Sequence, residues 1–197
     1  LVDGTKIGFG HQLLMLSLAY RRRAVPIAWS WVRHVRGHSS GKQQISLLKY
    51  VRSLIPQHTP VFLVGDSDFG SIAVLRQLGH WRWFFVLRRT GWQRMETFAP
   101  HAGESTWCPN SYLTQTEIHP VSALIHWQVG EKEPWCLATN LPDASLTLRY
   151  YRRRMWTEEM FADFKKHGFD LENTMLRNPP RLSRLTLAVA FLYVWLL

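Results

Sequence analysis

The chain has 197 residues, enough to bury a sizeable core and near the upper end of what one domain usually holds. Its 24 Lys and Arg against 14 Asp and Glu give a formal charge of +10, which points to a polyanionic partner, nucleic acid ahead of a membrane surface. Cys108 and Cys136 stand far apart and outside any C-x-x-C, which supports neither a zinc site nor a disulfide framework and fits a reducing, cytosolic setting.

The chain opens Leu1-Val2-Asp3 with neither an initiator Met nor a charged-then-apolar leader, and it stops inside the apolar run Leu185 to Leu197, too short for a membrane span. Both ends read as cuts through a longer protein, so the expectation is one domain truncated at both ends. Ten Trp, with the Phe and Tyr, supply mainly core and, in a minority, flat faces on which bases stack.

In chain order, Leu1 to Thr5 reads as the end of a strand delivering Asp3 to a turn. Gln12 to Tyr20 and Ala24 to Val32 are apolar, aromatic-rich runs joined by Arg21-Arg22-Arg23, the pattern of a hairpin, and Pro26 sets the second strand at an edge or bulge. The arginine triplet is a solvated turn first and a phosphate contact second. After a polar loop at 37–41, Ile45, Leu47, Leu48, Val51 and Leu54 recur at helical spacing until Pro56.

Val61 to Val64 is a short continuous apolar run, the mark of a strand covered on both faces, and it ends at Gly65-Asp66-Ser67-Asp68-Phe69-Gly70. Ser71 caps a helix whose buried side is Ile72, Leu75 and Leu78 and which Gly79 closes; Trp81 to Leu87 is the next buried strand. Residues 90–140 change character. Polar residues, Pro and Gly interrupt candidate strands at Ser111 to Ile118, Ser122 to Gly130 and Trp135 to Thr139, and this stretch reads as a β-rich insertion. Leu141-Pro142-Asp143 turns the chain into a helical region, and Asn178-Pro179-Pro180 separates that from a last apolar helix. The fold class is therefore α/β, a mixed sheet with helices packed on it.

Tyr151 to Lys165 carries the densest functional signal. At about 100° per residue, Tyr151, Arg154, Glu158 and Lys165 fall within an arc of roughly 60° on one helix face. Trp156, Met160, Phe161 and Phe164 form an apolar stripe, while Arg152, Glu159, Asp163 and Lys166 collect on a face suited to water. A carboxylate between two cations suits phosphate and a divalent ion. The competing reading is a solvated helix laced with i,i+4 ion pairs, and Thr157 is positioned to cap a new helix and break the phase. Asp3 and Asp66 end separate strands, and a fold that sets those strands side by side brings them and Glu158 around one point. Such hard oxygen ligands suit Mg²⁺ or Mn²⁺, and two ions activate the attacking oxygen and stabilise the leaving one at a phosphodiester.

Tyr151, two residues, Arg154, three residues, Glu158, six residues, Lys165 resembles the Y-R-E-K signature of IS4-type DDE transposases. Asp3-Gly4-Thr5 is similar to that family's D-x-T, and Gly65 to Gly70 resembles its second strand-end motif, D-R-G-F, with Ser67-Asp68 in place of Arg-Gly. Met155 stands where the family often has Trp, with Trp156 one position later. The resemblance implies an RNase H-like catalytic domain with a β-rich insertion before the Glu helix. By position it implies Asp3, Asp66 and Glu158 as the catalytic, metal-binding triad, Asp68 competing with Asp66, and Tyr151, Arg154 and Lys165 as DNA contacts. The implied chemistry is hydrolysis freeing a 3′ hydroxyl at the element end, then attack of that hydroxyl on target DNA, by a dimer acting on two ends in a prokaryotic cell. A nuclease without transposition and an inactive, domesticated DNA-binding derivative are the alternatives.

Overall fold

The computed structural model describes residues 1–8, 10–33, 39–90, 100–112 and 120–197. It is an α/β protein with mixed strand pairing and flanking helices. The chain forms two compact units, Leu1–Gln57 with Arg153–Leu197, and His58–Arg152.

The first unit begins with three antiparallel strands, β1 (Val2–Ile7), β2 (His11–Tyr20) and β3 (Arg23–Arg33), in the order β3-β2-β1. Consecutive residues of β2 point to opposite sides of the sheet, and Leu13, Leu14 and Met15 are all fully buried, so both faces are covered. Pro26 lies on the edge strand β3 opposite Ser17, where the register shifts, as a residue without an N–H requires. Helix α1 (Gly41–Leu54) starts on a capping box: Ser40 accepts from Gln43 N, and the Gln43 side chain accepts from Ser40 N.

The last helix of the chain, α5 (Pro179–Leu196), packs on β3. It starts well before the apolar run that suggests it, because Asn178 accepts from Arg181 N and the two prolines occupy the first turn, where a missing N–H costs nothing. Two indoles fasten it to β3: Trp29 Nε1 donates to Ser183 Oγ and Trp31 Nε1 to Thr186 Oγ1, each at 3.0 Å. These tryptophans serve packing with a polar tie. Among the described residues no helix is long and apolar enough to cross a membrane.

The second unit holds β4 (Phe62–Gly65), β5 (Phe84–Arg89), β6 (Ser105–Tyr112), β7 (Pro120–His126) and β8 (Trp135–Thr139) in the order β4-β5-β8-β7-β6. β4 and β5 are parallel, joined through helix α2 (Ile72–His80), which Ser71 caps as its sequence suggests; the remaining pairs are antiparallel. Strands from 100–140 thus extend the sheet of β4 and β5. β6 begins earlier than the run from Ser111, because Pro109 and Asn110 sit in a bulge of an edge strand rather than ending it; 113–118 of that expected strand lie outside the described residues. β5 starts at Phe84 because Trp81 and Arg82 form a turn, with Arg82 at φ +57°.

Asn140 closes the central pair of this sheet, accepting from Phe85 N and donating to Trp83 O, while Thr139 Oγ1 donates to Phe85 O. Helix α3 (Ala144–Tyr151), capped by Asp143, packs against β4, β5 and β7.

Replacing Trp31 by Phe removes the indole donor together with part of the ring's packing volume. Urea unfolding is expected to show a loss of at least about 1 kcal/mol with an unchanged m value.

Candidate functional site

Asp3 and Glu158 come from opposite ends of the chain and meet on one cation in the first unit. Asp3 is not delivered to a turn at a strand end, as its sequence suggests: it is the second residue of β1, which runs on to Ile7 because residues 3–7 continue the ladder with β2, and its Oδ1 accepts from Gly4 N at 2.7 Å. Its Oδ2 is 3.8 Å from Arg154 Nη1, and Glu158 Oε1 is 2.6 Å from Arg154 Nη2. The Asp3 and Arg154 side chains are each 13% exposed and that of Glu158 is 44% exposed. The first contact is a mostly enclosed ion pair; the second is a charge-assisted hydrogen bond at the mouth of the same cluster.

The continuous helix expected over 151–165 is not what positions these groups. α3 ends at Tyr151, residues Arg152–Arg154 form a 3₁₀ turn, α4 runs Met155–Ala162, and Asp163–His167 form a π turn. Thr157 is not the cause: it is fully buried inside α4, and Arg152 and Arg154 both keep right-handed helical dihedrals. The chain tightens to about 3 residues per turn and later widens, so a phase reckoned at 3.6 drifts on both sides of α4. Within one turn of Glu158 the α pitch holds, and Arg154 and Glu158 retain their i,i+4 contact.

Tyr151 is buried, 2% exposed, with its ring edge-on to Trp135 at 5.2 Å; as it stands it offers a large ligand almost no surface. Lys165 is half-buried in the π turn and has no ion-pair partner among the described residues.

Asp66 belongs to the second unit. It follows β4 directly and its carbonyl accepts from Phe69 N, opening the 3₁₀ turn Ser67–Phe69; Asp66 is half-buried and Asp68 exposed. Arg89, at the end of β5, braces that turn by donating from Nη1 to Gly70 O at 2.6 Å. A side chain at Gly70 would put its Cβ 2.8 Å from the same nitrogen and displace the guanidinium from this brace. Burial holds the Arg89 pKa below its ordinary value. The sequence signal for Arg89 was slight: a cation at the end of Phe84-Phe85-Val86-Leu87, on a strand read as ending at Leu87.

A second polar pair went unread in the sequence. His126, buried on β7, holds Ser105 Oγ on β6 at 2.8 Å from its Nδ1. Burial first, and the Arg152 charge second, push its pKa below 6.5.

Asp3 and Glu158 contact different nitrogens of one guanidinium, and carboxylate oxygens are the donor type that a hard divalent ion takes. Among the described residues no three His, Cys, Asp or Glu side chains are grouped so as to hold a metal ion. Comparison of the sequence with family models and with curated proteins returns no match.

Arg154→Met leaves the Asp3 carboxylate enclosed beside an uncharged stem. It is expected to cost about 3 kcal/mol in chemical unfolding, and the added change Asp3→Asn should recover part of that loss. His126 makes the fold pH-dependent in a definite direction. Because its folded pKa is lowered, its contribution is complete above the unfolded value of 6.5 and is lost as pH falls through the lowered one. Melting temperature should therefore drop on acidification from pH 6.5, and His126→Gln should flatten that part of the curve.

Proposed function

We propose that the chain is the catalytic domain of an IS4-type DDE transposase with an RNase H-like fold, cutting DNA at element ends and joining the freed 3′ hydroxyl to target DNA. The observation that carries the reading is the meeting of Asp3 and Glu158 on Arg154, because the motif resemblance names these three residues from separate parts of the sequence. The +10 charge and the ammonium of Lys165 agree with a polyanionic substrate.

In this reading Asp3 and Glu158 would hold a divalent ion, Mg²⁺ or Mn²⁺, and the motif resemblance gives Asp66, at the end of β4, a metal-binding role as well. When bound, such ions stabilise the attacking and leaving oxygens of a phosphodiester. Arg154 holds the two carboxylates on one guanidinium before substrate arrives. Its planar fork also matches phosphate, so an incoming phosphodiester competes with the carboxylates for the same donors. Glu158, the more exposed of the pair, is the one free to turn away from Arg154. Lys165 supplies a point charge to a neighbouring phosphate, and Tyr151, packed on Trp135, serves the core of the second unit. A cytoplasmic setting and a dimer on paired DNA ends follow from the same reading.

The test is nicking and strand transfer by the protein on an element-end duplex with Mg²⁺. Glu158→Gln and Asp66→Asn should each lower both activities at least about a thousandfold, while Asp68→Asn leaves them within a few-fold. Retained cleavage in Glu158→Gln would end the proposal, and cleavage without joining would move it to a nuclease.

A further inference from the structure

The turn between β2 and β3 is built against its own stereochemistry. Tyr20 pairs with Arg23, so Arg21 and Arg22 alone make a two-residue hairpin loop, and their φ values are +46° and +63°. Two consecutive positive φ angles define the loop whose twist suits a hairpin, and Asn-Gly is the pair that adopts it without strain. Arginine has a Cβ that crowds the left-handed region and a side chain too long to hydrogen-bond its own turn. Both positions therefore carry a conformational penalty that a common turn sequence would avoid, and backbone held against preference on an exposed loop points to what its side chains do.

Those side chains are displayed to solvent. Arg21 and Arg22 are exposed, and Tyr20 is 53% exposed with the Arg21 guanidinium 5.3 Å over its ring. Stacking of this kind holds a guanidinium in place while leaving its edge N–H groups free to donate. Arg23, next along, sits 3.8 Å from Glu159 with both groups half exposed, too weak a pair to neutralise the tip.

The tip belongs to the same unit as Asp3. Met15 lies opposite Asp3 in the β1–β2 ladder, and Tyr20 is five residues further along β2, about 17 Å at the usual strand rise. That is about half a turn of duplex DNA.

We infer that the Arg21–Arg22 hairpin tip is a phosphate-backbone clamp for duplex DNA, gripping the strand at a distance from the Asp3–Glu158 carboxylates. The clamp rests on the nucleic-acid reading above but needs neither metal nor cleavage. Two guanidinium forks, one pre-oriented on Tyr20, contact phosphates without reading sequence, and their contribution appears as counterion release.

The experiment measures binding of the protein to a short labelled duplex in the presence of a chelator, across a series of salt concentrations. Arg21→Gln/Arg22→Gln removes both charges and keeps the bulk. The slope of log K against log salt should fall in magnitude by about 2, equally for unrelated DNA sequences. Arg21→Asn/Arg22→Gly should lose the same slope and raise the melting temperature by about 2–4 °C, because it relieves the strained turn.

An unchanged slope in both variants overturns the clamp, as does the absence of duplex binding by the parent protein. A lower melting temperature in the Asn-Gly variant overturns the strain argument beneath it. Weakened binding to phosphatidylserine vesicles with an unchanged DNA slope assigns the tip to a lipid surface and overturns it too. The two proposals fail separately: loss of cleavage in Glu158→Gln with unaltered slopes removes the clamp alone, and altered slopes with cleavage intact in Glu158→Gln remove the catalytic reading alone.

Discussion

One guanidinium enclosed between two carboxylates organises the first unit. Arg154 reaches Asp3 on β1 and Glu158 on α4, so the strand near the start of the chain and the helix near its end are tied by charge as well as by apolar packing. Enclosing the Asp3 and Arg154 charges is costly, and the arrangement holds because each has the other as partner, Arg154 has Glu158 at the mouth, and Asp3 has a backbone N–H besides. The surrounding structure meets that constraint. β2 is covered on both faces, Phe164 is fully buried behind α4, and the indoles of Trp29 and Trp31 hold α5 against β3.

The same constraint separates two uses of arginine in this chain. Arg154 and Arg89 are drawn inward and brace backbone or carboxylates, Arg89 against Gly70 beside the Asp66 turn. Arg21 and Arg22 are pushed outward by a turn that favours other residues. A surplus of positive charge in the composition says nothing about which arginines fall in each group. Exposure and partner do.

Much of the fold was legible because it rests on short-range rules. Ser71 and the Pro56 stop, the hairpin around Arg21–Arg23 and the strand at Phe62–Gly65 follow from capping, proline and apolar runs within a few residues. Where the reading slipped, a local cue was outweighed by a neighbour. Pro109 and Asn110 look like a strand break and are a bulge, since an edge strand tolerates both. Asn178-Pro179-Pro180 looks like a separator and is the first turn of α5, since an N-cap and proline at the helix start favour it.

The sequence by itself determined the spacing of Tyr151, Arg154, Glu158 and Lys165, the position of Asp66 after an apolar strand, and the charge that makes a polyanion the expected partner. Tertiary structure alone decided that Arg154 takes Asp3 as well as Glu158, that Tyr151 turns into the core, and that Arg89 braces the Gly70 turn. The reason is one of range. An i,i+4 contact survives within a single helical turn, but a line drawn through fifteen residues assumes a constant pitch. Here the chain passes through 3₁₀, α and π turns, and contacts between distant segments choose which side chain each turn presents.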